Sequence, residues 1–189
     1  DNTKPLYMIG CINEIGERQK ADNVSGLLGE TGLRQYMDQQ DTPLETGYLL
    51  RIGIDHFKEI NDNFGQEYGD FVLRKTADCI SGCISEAQKV YKLVADEFLI
   101  LDVFSDEVKD ADKLYDKVRN EIDRFIESNE FKVMYTVSGG IVPFAALKGN
   151  QYSEALKLTD FALNEAKKLG RNRTYLVQGG TEKTCNSAA

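Results

Sequence analysis

The stretch KVYKLVADEFLILDVF, residues 89–104, reads as two short apolar runs with almost nothing between them, the pattern of a β-hairpin. Its joint carries two adjacent carboxylates, Asp96 and Glu97. Placing this hairpin decides the fold, because the segments around it alternate between strand and helix patterns. Before it, GYLLRIGID (47–55) is an apolar strand, and over 66–85 the set Leu73, Ala77, Ile80 and Ile84 marks one face of a helix. After it, 107–128 repeats the helical spacing through Leu114, Val118, Ile122 and Phe125. FKVMYTVSGGIVPF (131–144) then alternates as a strand, with a bulge expected at Gly139-Gly140. The order strand, helix, strand, strand, helix, strand is the ferredoxin-like βαββαβ arrangement of an α+β fold. Right-handed crossovers make the first strand parallel to the second and set the third antiparallel between them. Residues 53–55, at the end of the first strand, are therefore expected beside Asp96 and Glu97.

Outside that core the pattern predicts a helix over 25–40 with Thr31 as its cap, a last helix over 152–169 stopped by Gly170, and a short strand RTYLV (173–177). Residues 1–21 read as a connector and 179–189 as a disordered tail, leaving one domain at 22–178. At 41% hydrophobic and 29% charged residues, the 189-residue chain has an ordinary globular composition. No apolar run approaches a membrane span, so no membrane contact is expected. The formal net charge of −8 argues against a nucleic-acid partner, which needs clustered basic residues. Cys79 and Cys83 lie four apart in a helical pattern, while Cys11 and Cys185 sit near the ends. That spacing is no disulfide framework, and reduced, packed thiols with no secretory leader in DNTKPLYM point to a cytoplasmic setting.

Carboxylates converging at strand ends are a common way to hold Mg²⁺, a hard ion that prefers oxygen ligands. A solvated turn explains Asp96 and Glu97 equally well from spacing alone. IDHFKEINDNFGQEYGD (54–70) adds Asp55, Lys58, Asn61, Asp62 and Asp70 together with Gly65 and Gly69. A solvated helix face accounts for Glu59 and Asp62, and accounts less well for the Asn, Gly and Gly-Asp positions.

This segment resembles the D-x-D-x-F-K-x-I-N-D-x-x-G-x-x-x-G-D segment of GGDEF domains, the diguanylate cyclases. DNVSGLL (22–28) is similar to their D-x-L-T-G-L turn, and VADEF (94–98) sits where G-G-D-E-F belongs. VSGGI (137–141) and DFALNEAKKLGRNR (160–173) resemble two further family segments, in the same order. The resemblance implies a ferredoxin-like, nucleotide-cyclase-like fold and an enzyme that joins two GTP molecules into cyclic dimeric GMP across a homodimer with Mg²⁺ or Mn²⁺. Carried over by position, Asn61 and Asp70 correspond to the guanine-binding pair, Lys58, Lys167 and Arg171 to positions near the triphosphate, and Phe57 to a further substrate-binding position. Lys167 and Arg171 are expected on one helix face. Asp96 and Glu97 take the catalytic positions, with Asp96 also a metal ligand and Asp55 a candidate to assist it. GCINEIGERQKAD (10–22) resembles the exit segment of PAS sensor domains.

Departures from the family pattern concentrate at the reactive end. Gly53 stands where active members carry a metal-binding Asp. Val94-Ala95 replaces the Gly pair, so that Ala95 must enter the left-handed region or the turn must change type. Val94 is expected to crowd the nucleotide. SEAQ (85–88) replaces the R-x-x-D of product inhibition. Three readings follow: a degenerate, GTP-binding or regulatory domain with little or no cyclase activity, an active diguanylate cyclase, and a ligand-free dimerisation module.

Overall fold

The computed structural model describes residues 21–178 apart from 106, 131–132 and 150–151. The connector with its sensor-like segment, the tail, Cys11 and Cys185 lie outside the described residues. Among these, strands β1 (Leu28–Gly29), β2 (Tyr48–Ile54), β3 (Gln88–Lys92), β4 (Glu97–Asp102), β5 (Val137–Pro143) and β6 (Thr174–Leu176) form one sheet in the order β1-β3-β4-β2-β5-β6. The helices are α1 (Glu30–Asp38), α2 (Phe57–Phe64), α3 (Gln66–Cys83), α4 (Lys109–Phe125) and α5 (Tyr152–Lys168). The inner strands take the ferredoxin-like order within a mixed α+β fold, and β1 and β6 widen the sheet by parallel pairing with β3 and β5.

The sheet centre is β2, antiparallel to β4 on one side and β5 on the other. Its apolar run is buried on both faces, as a central strand requires. Tyr48, Leu50, Ile52 and Ile54 join the core formed with α3 and α4, whereas Leu49 joins the core with α1 and α5. Each fully buried Leu or Ile contributes roughly 1.5–3 kcal/mol. The register carries the hairpin's acidic joint to the end of β2, as expected: Gly53 pairs with Glu97, and the Ile54 N–H donates to the Asp96 carbonyl at 3.3 Å.

Several local expectations are corrected. Gly139 and Gly140 form no bulge but continue the ladder, opposite Ile52 and Arg51. They are glycines because neighbours crowd them: a Cβ on Gly140 would lie 2.4 Å from the Leu163 nitrogen, and one on Gly139 would lie 3.0 Å from the Tyr115 ring. Thr31 does not cap α1, which starts at Glu30 behind Gly29 with no side-chain cap, because pairing of Leu28 and Gly29 with β3 sets where the chain turns. The region after β2 is two helices, broken at Gly65 with φ +84°. Cys79 and Cys83 are buried free thiols, as read. No described helix is long and apolar enough to cross a membrane.

Candidate functional site

A cavity of about 400 Å³ opens between α2, α3 and the hairpin tip, lined by Phe57, Lys58, Asn61, Gln66, Asp70, Leu73, Ala95 and Asp96. Residues from a strand end, two helices and a turn thus meet in one cleft. A larger groove of about 490 Å³ lies between α3 and α4, against Cys79 and Cys83. Burial pushes the Cys79 thiol up to about 11, away from a reactive thiolate, and it is the smaller cleft that gathers the site residues expected from the sequence.

At the α2–α3 end, Asn61 wedges against Gly69, where a Cβ would lie 1.8 Å from the Asn61 Oδ1. Glycine at that position is what leaves room for the Asn61 amide. The Oδ1 is buried and has no hydrogen-bond partner within the protein. An acceptor left in that state costs about 1–3 kcal/mol. Asp70 is half-buried on the neighbouring helix and lines the same cleft, and Lys58 is exposed at its rim.

At the hairpin tip, Ala95 takes the left-handed conformation, φ +53°, at a cost of about 1–2 kcal/mol. Lys92 holds the strained turn by donating from Nζ to the carbonyls of Leu93 and Ala95. Burial depresses the Lys92 pKa, opposed by the nearby Asp22, Asp96 and Glu97. Val94 is 65% exposed and lies outside the cleft lining, so Ala95, and not Val94, narrows the cleft.

The acidic pair is already occupied by cations of the chain. Glu97 accepts from Arg51 Nε at 2.7 Å and from Nη2, and Arg51 reaches Asp160 at 3.3 Å and the Leu156 carbonyl. This pair is mostly buried, at 8% and 16% side-chain exposure. Asp96 faces Lys167, with Nζ to Oδ2 at 3.9 Å. Burial raises the Asp96 pKa, with Lys167 opposing and Glu97 reinforcing the shift. Beside it, a Cβ on Gly53 would meet the Lys167 Nζ at 3.1 Å and the Leu163 side chain at 3.0 Å.

Asp55 is held away from this cluster. Its carboxylate accepts from Thr136 Oγ1 and Ser138 Oγ, each at 2.7 Å, and from the Asn172 N–H at 3.2 Å. It fastens β2 to the strand and loop on the far side, so that both of its oxygens are engaged there rather than with Asp96. Among the described residues no group of three or more His, Cys, Asp or Glu side chains could hold a metal ion. With Gly53 bare, Asp55 engaged and Glu97 bound to Arg51, the donor set does not fit a divalent cation. Arg171 also departs from its expected place: α5 ends at Lys168, Gly170 turns at φ +118°, and Arg171 follows in the left-handed region, exposed and off the helix face. The residues that sequence reasoning missed are Arg51, Lys92 and Asp160. Arg51 carried a signal, a lone charge inside the apolar run of β2.

The family model described as "Diguanylate cyclase, GGDEF domain" matches residues 20–173. Diguanylate cyclase VdcA of Vibrio cholerae is 28% identical over 179 residues, covering 91% of this chain and 52% of that protein. Diguanylate cyclase DgcZ of Escherichia coli is 29% identical over 164 residues, covering 85% of this chain and 54% of that protein. The chain therefore spans about half the length of these curated relatives. In fold it is similar to the coiled coil and GGDEF domain of DgcB from Caulobacter crescentus, solved in complex with c-di-GMP, at TM-score 0.76 and 20% identity, covering 90% of this chain and 92% of that one. A ferredoxin-like sheet, a cleft at the expected hairpin and a family match over most of the described residues converge: the chain belongs to the GGDEF domain family of diguanylate cyclases.

Proposed function

We propose that this chain is a guanine-nucleotide-binding GGDEF domain, spanning 22–178, with cyclase turnover lost or reduced to a trace, and that it serves as a regulatory module in a signalling protein. The observation that carries the reading is a contrast: a buried, unpartnered Asn61 Oδ1 in a cleft that Asp70 also lines, and, behind the cleft's Asp96, Lys167 against the bare Gly53. Asp70 can accept from the ring N–H and amino group of guanine, and Asn61 can supply the complementary amide. Phe57 contributes an apolar wall, while Lys58, Lys167 and Arg171 offer positive charge to a triphosphate.

GGDEF cyclases generally use Mg²⁺ or Mn²⁺. Joining two GTP molecules depends on metal charge and on alignment of a 3′-hydroxyl with an α-phosphate held by a second subunit. Without a carboxylate at Gly53 and with Glu97 tied to Arg51, that alignment is lost, while homodimerisation through this or an upstream domain remains part of the proposal. A slow but real cyclase is the second reading, favoured by retention of Asp96 and Glu97 and by the activity in the relatives' names.

The deciding experiment incubates the purified chain with GTP and Mg²⁺ or Mn²⁺, follows cyclic dimeric GMP, and measures GTP binding alongside. We expect GTP binding weakened about tenfold by Asp70→Asn, and no product above background. Sustained product formation overturns the regulatory reading. No binding at millimolar GTP would leave the ligand-free dimerisation module.

A further inference from the structure

We infer that Arg51 is a positioning residue that withholds Glu97 from the cleft: its guanidinium holds the Glu97 carboxylate on the α5 face of the sheet and ties it to that helix. β2 sends Leu50, Ile52 and Ile54 to the core with α3 and α4, so Leu49, Arg51 and Gly53 face the other side. There the register sets Arg51 opposite Leu99 and Gly53 opposite Glu97, which makes Arg51 and Glu97 diagonal neighbours on one face. Gly53 has no side chain to stand between them, and Glu97 lies back along the sheet onto Arg51 Nε, at 2.7 Å, and Nη2. The same guanidinium reaches α5, where Nη1 donates to the Leu156 carbonyl at 3.3 Å and Nη2 lies 3.3 Å from Asp160. Leu156 and Asp160 are one turn apart, so Arg51 meets a single face of that helix.

The consequence separates two neighbouring acids. Asp96 lines the cleft and Glu97 does not. Arg51 is the one charge in β2 and is buried, so its guanidinium has to be paired within the protein. Glu97 and α5 supply that pairing. Asp160 is the solvent-side partner, about half exposed, and a weaker hold than the mostly buried Glu97. One strand residue therefore decides where the second acid of the hairpin joint can point. With an apolar side chain at position 51, Glu97 would sit under α5 with its main cation gone. The carboxylate then leaves that face for water and for the cleft, which its neighbour Asp96 already lines. The holding of Glu97 rests on geometry alone, whereas its effect on a bound nucleotide rests on the reading above.

The test uses the whole chain as wild type, Arg51→Met, Arg51→Lys and the double variant Arg51→Met with Glu97→Gln, each checked by thermal melting. Carboxylates are coupled to glycine ethyl ester with a carbodiimide, and mass spectrometry reads the labelling at Glu97, with the buried Asp55 as the control for unfolding. Glu97 labelling is expected to rise about tenfold in Arg51→Met and about threefold in Arg51→Lys, which keeps the charge without the fork, while Asp55 stays unlabelled. GTP affinity, measured calorimetrically in EDTA, is expected to fall about tenfold in Arg51→Met, because a carboxylate now stands beside the phosphates. The double variant, which neutralises that acid, is expected to return to within about threefold of wild type. Glu97 as protected in Arg51→Met as in wild type overturns the inference, and so does unchanged GTP affinity with Glu97 labelled. A double variant that binds GTP as weakly as Arg51→Met also overturns it, since the loss then follows Arg51 and not the released acid. Absence of GTP binding in all four proteins removes the nucleotide reading, while the labelling still decides where Glu97 is held. If Arg51→Met exposes Asp55 as well, Arg51→Lys decides: a rise at Glu97 alone supports the inference and no rise overturns it.

Discussion

The two ends of the cleft have been kept to different standards. At the α2–α3 end Asn61 packs against Gly69, where a Cβ would lie only 1.8 Å from its Oδ1, and that amide oxygen is buried unpaired. At the hairpin end every acid has found a cation of the chain, and the turn is held in a conformation its alanine disfavours. One end keeps a buried acceptor unpaired, and the other closes its charges within the chain. The contrast teaches that acids gathered at one end of a cleft can be closed by cations of the same chain while a polar atom at the other end stays unpaired.

Changes at each end can break or sharpen this contrast. The largest effect is expected from Glu97→Ala, which strands Arg51 in a buried setting with only Asp160 and the Leu156 carbonyl; chemical denaturation should show a loss of about 3 kcal/mol. A loss below about 1 kcal/mol would mean that the pair behaves as an exposed one and that the tip is not self-closed. Next comes Gly69→Ala, whose Cβ collides with the Asn61 amide and must push that side chain aside. It should cost about 1–3 kcal/mol by denaturation, and GTP binding should weaken together with stability. Unchanged affinity would show that Asn61 does not read the ligand.

Ala95→Gly tests the strained turn and should raise stability by up to about 1 kcal/mol, seen as a higher urea midpoint at constant slope. A lower midpoint would show that Lys92 has already compensated the backbone cost. The smallest effect concerns Asp96. Its raised pKa means that the native chain binds this proton more tightly than the unfolded chain, so ionisation lowers stability as pH climbs from the ordinary Asp range through the raised value. Asp96→Asn removes that slope. Its stability curve should lie above that of wild type at neutral pH and lose the advantage below the ordinary Asp range, and a variant less stable at neutral pH would show that Lys167 outweighs burial.

Much of this architecture is legible in one dimension. Period-2 and helical spacing order the elements, and the crossover rule brings residues 53–55 to Asp96 and Glu97 before any coordinates are considered. The cleft residues Phe57, Lys58, Asn61 and Asp70 follow because they share one short segment whose helices carry them together. The Gly139-Gly140 pair misleads at this level: a bulge and a close approach by neighbouring helices have the same composition, and only the neighbours Leu163 and Tyr115 distinguish them.

The sequence by itself determined the order of the four inner strands, the hairpin and the presence of Asp96 and Glu97 at its joint, because these depend on local periodicity and chain topology. Only the tertiary structure decided who neutralises those acids: Arg51 reaches Glu97 across adjacent strands, Lys167 arrives from the last long helix, and Asp55 is drawn away by Thr136 and Ser138. Ion pairing depends on a few ångströms between residues far apart in the chain, and no spacing along the chain encodes that distance.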